Sequence, residues 1–297
     1  MGMQRVENEI ARLIQEIGYD AVTRLFGTLS GGKRLRAKLI LKIAPREERA
    51  PLLAAIVELI HAASLLHDDV IDEADLRRGT PSVNATEGSK TAVMLGDILY
   101  SKAFTELVTF EKEIAHIIAS SVTALSKGEM QDVFMAKSFN ADETLYLEML
   151  YLKTATLIEA AAHAAALLAG KDAQKYALYG KNLGLSFQII DDILDITSDE
   201  ATLGKPAMND FVEGKCTLPY IYLYKALNDE EKERLVRAHA KKLSAEESAW
   251  ILQKMQEHKT IEQSFALAKQ LSHEAMQAIA DDEELVSILE AMIQRSY

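Results

Sequence analysis

Cysteine is nearly absent. Cys216 is the only one in 297 residues, which excludes an intrachain disulfide, a Cys-rich zinc site and a dithiol redox pair. A reducing compartment is therefore the default. Proline (5) and glycine (14) are scarce, against ordinary usage of about 5% and 7%. Positive charge is in deficit, with 33 Lys+Arg against 45 Asp+Glu and a net charge of −12. This argues against nucleic acid as the main partner, since proteins that neutralise phosphates usually carry excess Lys and Arg. The start, MGMQRVENEIARL, lacks the apolar core of a secretory signal, and Val6 stands where a myristoylation signal needs Ser or Thr. The most apolar stretch, Thr154 to Gly170, contains Glu159 and His163 and is too short for a bilayer span. No transmembrane segment and a cytoplasmic location are expected. Runs of alternating apolar and polar residues are missing, which argues against strands. So are linkers of low complexity and repeats of fixed period.

What remains is helical periodicity. Val6, Ile10, Leu13, Ile14 and Ile17 recur on one helical face and stop at Gly18. Leu52, Leu53, Ile56, Leu59, Ile60 and Ala63 do the same after Pro51, a residue suited to a first helical turn. Breaks are expected at Gly18, Gly27–Gly32, Pro45–Pro51, Gly79–Ser89, Gly128, Ser138–Asp142, Gly170, Ala201–Gly214 and Asn228. The segment Ala155–Ala169 is apolar nearly all round, as in a helix at the centre of a bundle or beside an apolar cavity. The reading is one all-α domain over residues 1–297.

Two acidic triplets interrupt this apolar pattern. Asp68, Asp69 and Asp72 lie in SLLHDDVID, and Asp191, Asp192 and Asp195 lie in FQIIDDILD at identical spacing. With 17 Asp in the chain, one such D-D-x-x-D is expected by chance only about 0.05 times. At i and i+4 the outer carboxylates share a helix face, where like charges repel by a few tenths of a kcal/mol. Something positive must offset them. Carboxylates without His or Cys select hard cations, and Mg²⁺ completes its octahedron with water and substrate phosphates. The pair of triplets thus predicts several Mg²⁺ ions clamping a diphosphate. Cations stand beside both: Gly31-Gly32-Lys33-Arg34-Leu35-Arg36 opens a helix as an anion site would, Arg77 and Arg78 follow the first triplet, and Lys205 and Lys215 follow the second. Mere neutralisation of the carboxylates is the alternative role for Arg77 and Arg78.

These motifs, with RRGTPSV (77–83), LGD (95–97), GEMQD (128–132), Lys153-Thr154 and LGKPAMNDFVEGKCTLP (203–219), resemble the all-trans polyprenyl diphosphate synthases in order and spacing along nearly the whole chain. The likeness is greatest to the long-chain octaprenyl and heptaprenyl synthases. One departure is Ala37, where that family usually has Pro. The resemblance implies an isoprenoid-synthase-type bundle of long antiparallel helices around a deep central cavity, usually a homodimer, with the two acidic motifs facing each other across its mouth. It implies Mg²⁺, some two or three ions per site, on Asp68, Asp72, Asp191 and Asp195, with Asp69 and Asp192 in support. It places isopentenyl diphosphate on Gly32, Lys33, Arg36, His61 and Arg78. The allylic diphosphate falls to Arg77, Lys153, Thr154, Gln188, Lys205 and Lys215. On the residues alone, His61 reads as an ordinary core histidine, and its site role rests on the resemblance.

The implied reaction is head-to-tail prenyl transfer. The allylic C–O bond ionises as pyrophosphate departs, the isopentenyl double bond attacks the cation, and loss of a proton regenerates an allylic diphosphate. Ala63 and Ser64 stand five and four residues before Asp68, where short-chain members of the family carry a blocking side chain. About 24 residues of helix wall would take roughly 36 Å of tail, which favours an octaprenyl product grown from farnesyl diphosphate. Phe134 and Met135 are candidates for the cavity floor. Competing readings are a geranylgeranyl or farnesyl synthase, a class I terpene cyclase, and a non-catalytic partner subunit. A quinone side chain is the product's usual destination in the family, and peripheral membrane contact would serve its release.

Overall fold

A computed structural model describes residues 2–29, 32–77, 79–197 and 208–294. The chain forms two compact units, one of residues 1–123 with 157–177 and one of residues 124–156 with 178–297.

In the first unit, α1 (Gly2–Glu16) buries Val6, Ile10, Leu13 and Ile14, the face that the periodicity marks. Gly18, at φ +69°, ends the pattern. Next come α2 (Asp20–Thr28), α3 (Leu35–Ile43) and the long α4 (Ala50–Ile71), which carries Pro51 in its first turn. Every residue of α4 from Leu53 to Ile60 is buried, because α1, α3 and α6 (Ser89–Leu107) pack around it. Each fully buried Leu or Ile contributes about 1.5–3 kcal/mol relative to exposure. Helix α4 is long and apolar enough to cross a membrane, and 72% of its most apolar window lies buried in the structure, as in a core helix. This replaces Thr154–Gly170 as the most span-like segment.

One charge sits in that core. Glu58, only 4% exposed, takes Arg34 Nη1 at 3.2 Å and the Ala37 N–H at 3.0 Å. Proline at 37 has no N–H to give, so Ala37 provides a hydrogen bond that the more usual residue could not. Between α4 and α6 lie a two-residue antiparallel hairpin, β1 (Leu76–Arg77) with β2 (Thr80–Pro81), and the short α5 (Val83–Glu87). The hairpin corrects the expectation of no strands.

The second unit takes the C-terminal half of α7 (Lys112–Met135), then α8 (Glu143–Leu150), which Asp142 caps by accepting from the Thr144 and Leu145 N–H groups. Helix α8 runs on through a π-helical turn, Tyr151–Ala155, into α9 (Thr156–Leu168); from Leu157 on, α9 belongs to the first unit, and its alanines 160–162 and 164–166 are all buried. Helix α10 (Ala173–Thr197) and α11 (Asn209–Val212) are followed by α12 (Leu218–Ala226). Capping boxes at Asn228/Glu231 and Ser244/Glu247 start α13 (Asp229–Ala238) and α14 (Ala245–His258), and α15 (Thr260–Ala278) and α16 (Glu283–Gln294) complete the unit. Ile189, Ile193, Phe211, Tyr220 and Leu223 belong to its core, where Phe211 stacks on Tyr220 at 4.3 Å. The break expected at Gly128 does not occur; this glycine lies inside α7, for a reason that the site makes plain.

Candidate active site

In the first unit the triplet closes α4. Asp68 and Asp69 occupy its last turn and Asp72 is its C-cap, the negative end of the helix dipole, where anions are unfavourable. The three carboxylates have different surroundings. Asp69 is buried and ion-paired with Arg77, whose Nε and Nη2 lie 2.5 Å from its Oδ1. Burial pushes the Asp69 carboxyl up, and Arg77 pulls it partway back. Asp68 is half-buried and Asp72 exposed. Arg77 reaches Asp69 because the chain reverses through the hairpin, with Gly79 at φ +76°.

His67, next to the triplet, explains LGD. Its Nε2 lies 3.2 Å from the Val93 carbonyl and 3.5 Å from Asp97 Oδ1, and a Cβ at Gly96 would sit 2.3 Å from that nitrogen. The absence of a side chain at Gly96 lets α4 and α6 approach this closely. In the basic motif, Lys33 is exposed, while Gly32 and Arg36 are half-buried. Arg34, the N-cap of α3 at φ 51°, turns to Glu7 and Glu58 instead of joining its neighbours. His61 is half-buried, and its carbonyl accepts from Ser64 Oγ at 2.9 Å. Ala63 and Ser64 are buried. Arg78, Lys205 and Gly31 lie outside the described residues.

The second unit gathers Lys153, Thr154, Gln188, Asp192 and Lys215 around one pocket of about 140 Å³. The π-turn carries Lys153 and Thr154. Such turns insert one residue into an α-helix and recur at functional sites. Helix α7 comes close enough here that a Cβ on Gly128 would lie 2.3 Å from the Lys153 backbone nitrogen. That is why a glycine stands inside a helix it would otherwise weaken by about 1 kcal/mol. Lys153 Nζ reaches back to Asp132 at 2.6 Å and Glu129 at 2.9 Å. Burial alone would lower this ammonium, but the two carboxylates outweigh it and hold it well above the ordinary lysine range.

Gly128→Ala therefore has an expected sign opposite to its effect in an isolated helix. Helix propensity favours Ala by about 1 kcal/mol, whereas forcing a methyl into backbone costs about 1–3 kcal/mol or more. A lower Tm by thermal melting is the expected result; an unchanged or higher Tm would show that α7 is not held against the π-turn.

In the second triplet Asp191 is exposed while Asp192 and Asp195 are buried. Asp192 accepts from the Tyr146 hydroxyl and from Gln188 Nε2 at 2.9 Å. Burial, with the charge of Asp210 nearby, pushes its carboxyl up to about 8 against the pull of those two hydrogen bonds. The middle aspartates thus differ: Asp69 is matched by a cation, Asp192 by neutral donors. Asp195 accepts the Asp210 N–H at 3.1 Å. Lys215 Nζ is 3.0 Å from Glu213. Phe134 is 58% exposed on an open groove of about 450 Å³ and does not line the 140 Å³ pocket, whereas Met135 lines both.

Sequence reasoning did not single out Tyr146, Glu129, Asp132 or Asp210. Glu129 and Asp132 were legible as an i, i+3 pair in GEMQD; Tyr146 resembles any core aromatic.

The donors of both triplets fit Mg²⁺. They are carboxylates alone, the set a hard cation takes. Among the described residues no three Asp, Glu, His or Cys side chains gather on one point. Mg²⁺ accepts one or two carboxylates and fills its remaining positions with water and phosphate oxygens. Thr217 Oγ1, buried in the pocket wall without a partner among the described residues, is a further polar atom that a ligand would satisfy.

Residues 19–255 match the Polyprenyl synthetase family. The octaprenyl diphosphate synthase of Haemophilus influenzae is 34% identical over 99% of this chain and 94% of its own length. A short chain isoprenyl diphosphate synthase of Methanothermobacter thermautotrophicus is 36% identical over 80% and 76%. The crystal structure of the Helicobacter pylori octaprenyl pyrophosphate synthase superposes with a TM-score of 0.92 at 42% identity, covering 99% of this chain and 98% of that one. A chain of helices and one short hairpin, with two aspartate triplets and this extent of similarity, belongs to the polyprenyl synthetase family.

Proposed function

We propose that this chain is a Mg²⁺-dependent trans-prenyltransferase. It condenses isopentenyl diphosphate head-to-tail onto an allylic diphosphate, farnesyl diphosphate being the favoured primer, to give a long-chain polyprenyl diphosphate of octaprenyl length. The observation that carries this is the pocket of the second unit, where a lysine, a threonine and a glutamine amide meet Asp192, the middle member of the second acidic triplet. Bound Mg²⁺ would supply electrophilic neutralisation of the departing pyrophosphate. Asp68 with Asp72, and Asp191 with Asp195, are the carboxylate pairs suited to holding such ions. Asp69 and Asp192 support them through Arg77 and Tyr146. Lys153 and Lys215 add positive charge for the allylic diphosphate. Thr154 and Gln188 present oxygen dipoles suited to a developing allylic cation. Lys33, Arg36 and His61 are the described residues assigned to isopentenyl diphosphate. A homodimer, a cytoplasmic location and use of the product as a quinone side chain belong to the same proposal.

Relatives named for octaprenyl products support the length, but a short-chain relative has similar identity. The choice therefore rests on Ala63 and Ser64, which are small and buried one turn and more before Asp68. Incubation with isopentenyl diphosphate, farnesyl diphosphate and Mg²⁺, followed by reversed-phase analysis, should give a main product of about forty carbons, eight five-carbon units. No primer consumption would overturn the enzyme reading, and a main product of geranylgeranyl size would overturn the length. Ala63→Tyr should shorten the product to farnesyl or geranylgeranyl length while primer is still consumed. A full-length product from that variant would show that the tail does not pass residue 63.

A further inference from the structure

The pocket of the second unit contains a hydrogen-bonded row that meets at Asp192. Gln188 turns its NH₂ group toward Asp192, with Nε2 donating to one carboxyl oxygen at 2.9 Å. The Gln188 carbonyl oxygen is then left to accept from Thr154 Oγ1, at 3.3 Å. The other oxygen of Asp192 is taken by Tyr146, whose hydroxyl also accepts a backbone hydrogen bond from Leu218 at the start of α12. Leu218 N–H is one of the amides that a helix N-terminus leaves unsatisfied. The row therefore runs from the α12 N-terminus through Tyr146 to Asp192, and from Thr154 on the π-turn through Gln188 to the same carboxyl, with the donors of both arms pointing toward Asp192.

We propose that Tyr146 is a positioning residue: by holding Asp192 it fixes the Gln188 amide and through it the Thr154 hydroxyl. This rests on the prenyltransferase reading for its consequence in turnover, though not for the row itself. Tyr146 is buried at 1% exposure and packed in the core of its unit, so its ring cannot move aside when its partners do. Without its hydroxyl, one Asp192 oxygen and the Leu218 N–H lose a partner together. Asp192 can then rotate, and with it the amide whose oxygen faces Thr154. Buried polar rows reinforce one another along their length, so a loss at one end should be felt at the other. Nothing local in the sequence marks the residue. It lies two helical turns before Lys153, a spacing equally suited to core packing.

The test is Tyr146→Phe, which keeps the ring. In a ¹⁵N spectrum of the full chain, the Gln188 side-chain NH₂ pair, assigned by its loss in Gln188→Glu, should be resolved in the parent. It should collapse toward free-amide positions in Tyr146→Phe. In turnover, kcat should fall about tenfold or more with the isopentenyl diphosphate KM within twofold of the parent. Tyr146→Phe combined with Asp192→Asn should be no slower than Asp192→Asn alone, since the two act through one group. An unchanged Gln188 NH₂ pair overturns the row even if the parent makes no prenyl product. An active parent with equal kcat in Tyr146→Phe, or losses that multiply in the double variant, overturns the positioning role while leaving the prenyltransferase reading intact.

Discussion

Asp68→Ala or Asp191→Ala should lower kcat by about 10³-fold or more, on the order of 4 kcal/mol of barrier, while the chain stays folded. Asp68 is half-buried in the last turn of α4, with Asp72 four residues on. Removing its charge relieves like-charge repulsion of a few tenths of a kcal/mol and an unfavourable helix-dipole interaction of about 0.3–1 kcal/mol. Asp191 is exposed and likewise has an acidic neighbour at i+4. The expected pattern is a Tm equal to or above that of the parent, with steady-state turnover nearly abolished. Full turnover of the parent in excess EDTA, or of either variant in Mg²⁺, would remove the metal from the mechanism.

Lys153→Met should produce the largest loss of stability, about 3–5 kcal/mol. Breaking a buried ion pair from one side leaves an uncompensated charge, and here two carboxylates lose their partner. Glu129 and Asp132 are 6% and 7% exposed, and Lys153 Nζ lies within 2.9 Å of both. Chemical denaturation of Lys153→Met should show a midpoint well below that of the parent. Adding Glu129→Gln and Asp132→Asn should recover much of it, because neutral amides need no counter-charge. A single variant within about 1 kcal/mol of the parent would mean that the clamp is solvated, contrary to the geometry.

The fold was legible where residues act locally. Gly18, Gly170 and Asn228 end or begin helices as expected, and the apolar faces of α1 and α4 follow their periodicity. Gly128 was misread because a glycine in a helical pattern has the same local signature whether it ends the helix or admits a neighbouring backbone. Only the tertiary approach of Lys153 distinguishes the two. The triplets stand out in the sequence because identity and spacing coincide twice in one chain. Of the partners of their middle members, Arg77 was open in the sequence as a neutralising cation and reaches Asp69 through the hairpin, whereas Tyr146, 46 residues from Asp192, was not.

The extra residue in the turn at Tyr151–Ala155 has a consequence for how this chain can vary over time. Each α-helical residue advances the helix by about 100°, so deleting one position here would restore an ordinary helix and shift the residues before it round the helix axis by that angle. Tyr146 would be carried away from Asp192 and Lys153 from Asp132, with every residue still chemically intact. Point substitutions in this segment are filtered one side chain at a time. A change of its length is filtered as a whole, which makes the count of residues between Tyr146 and Thr154 as constrained as their identities.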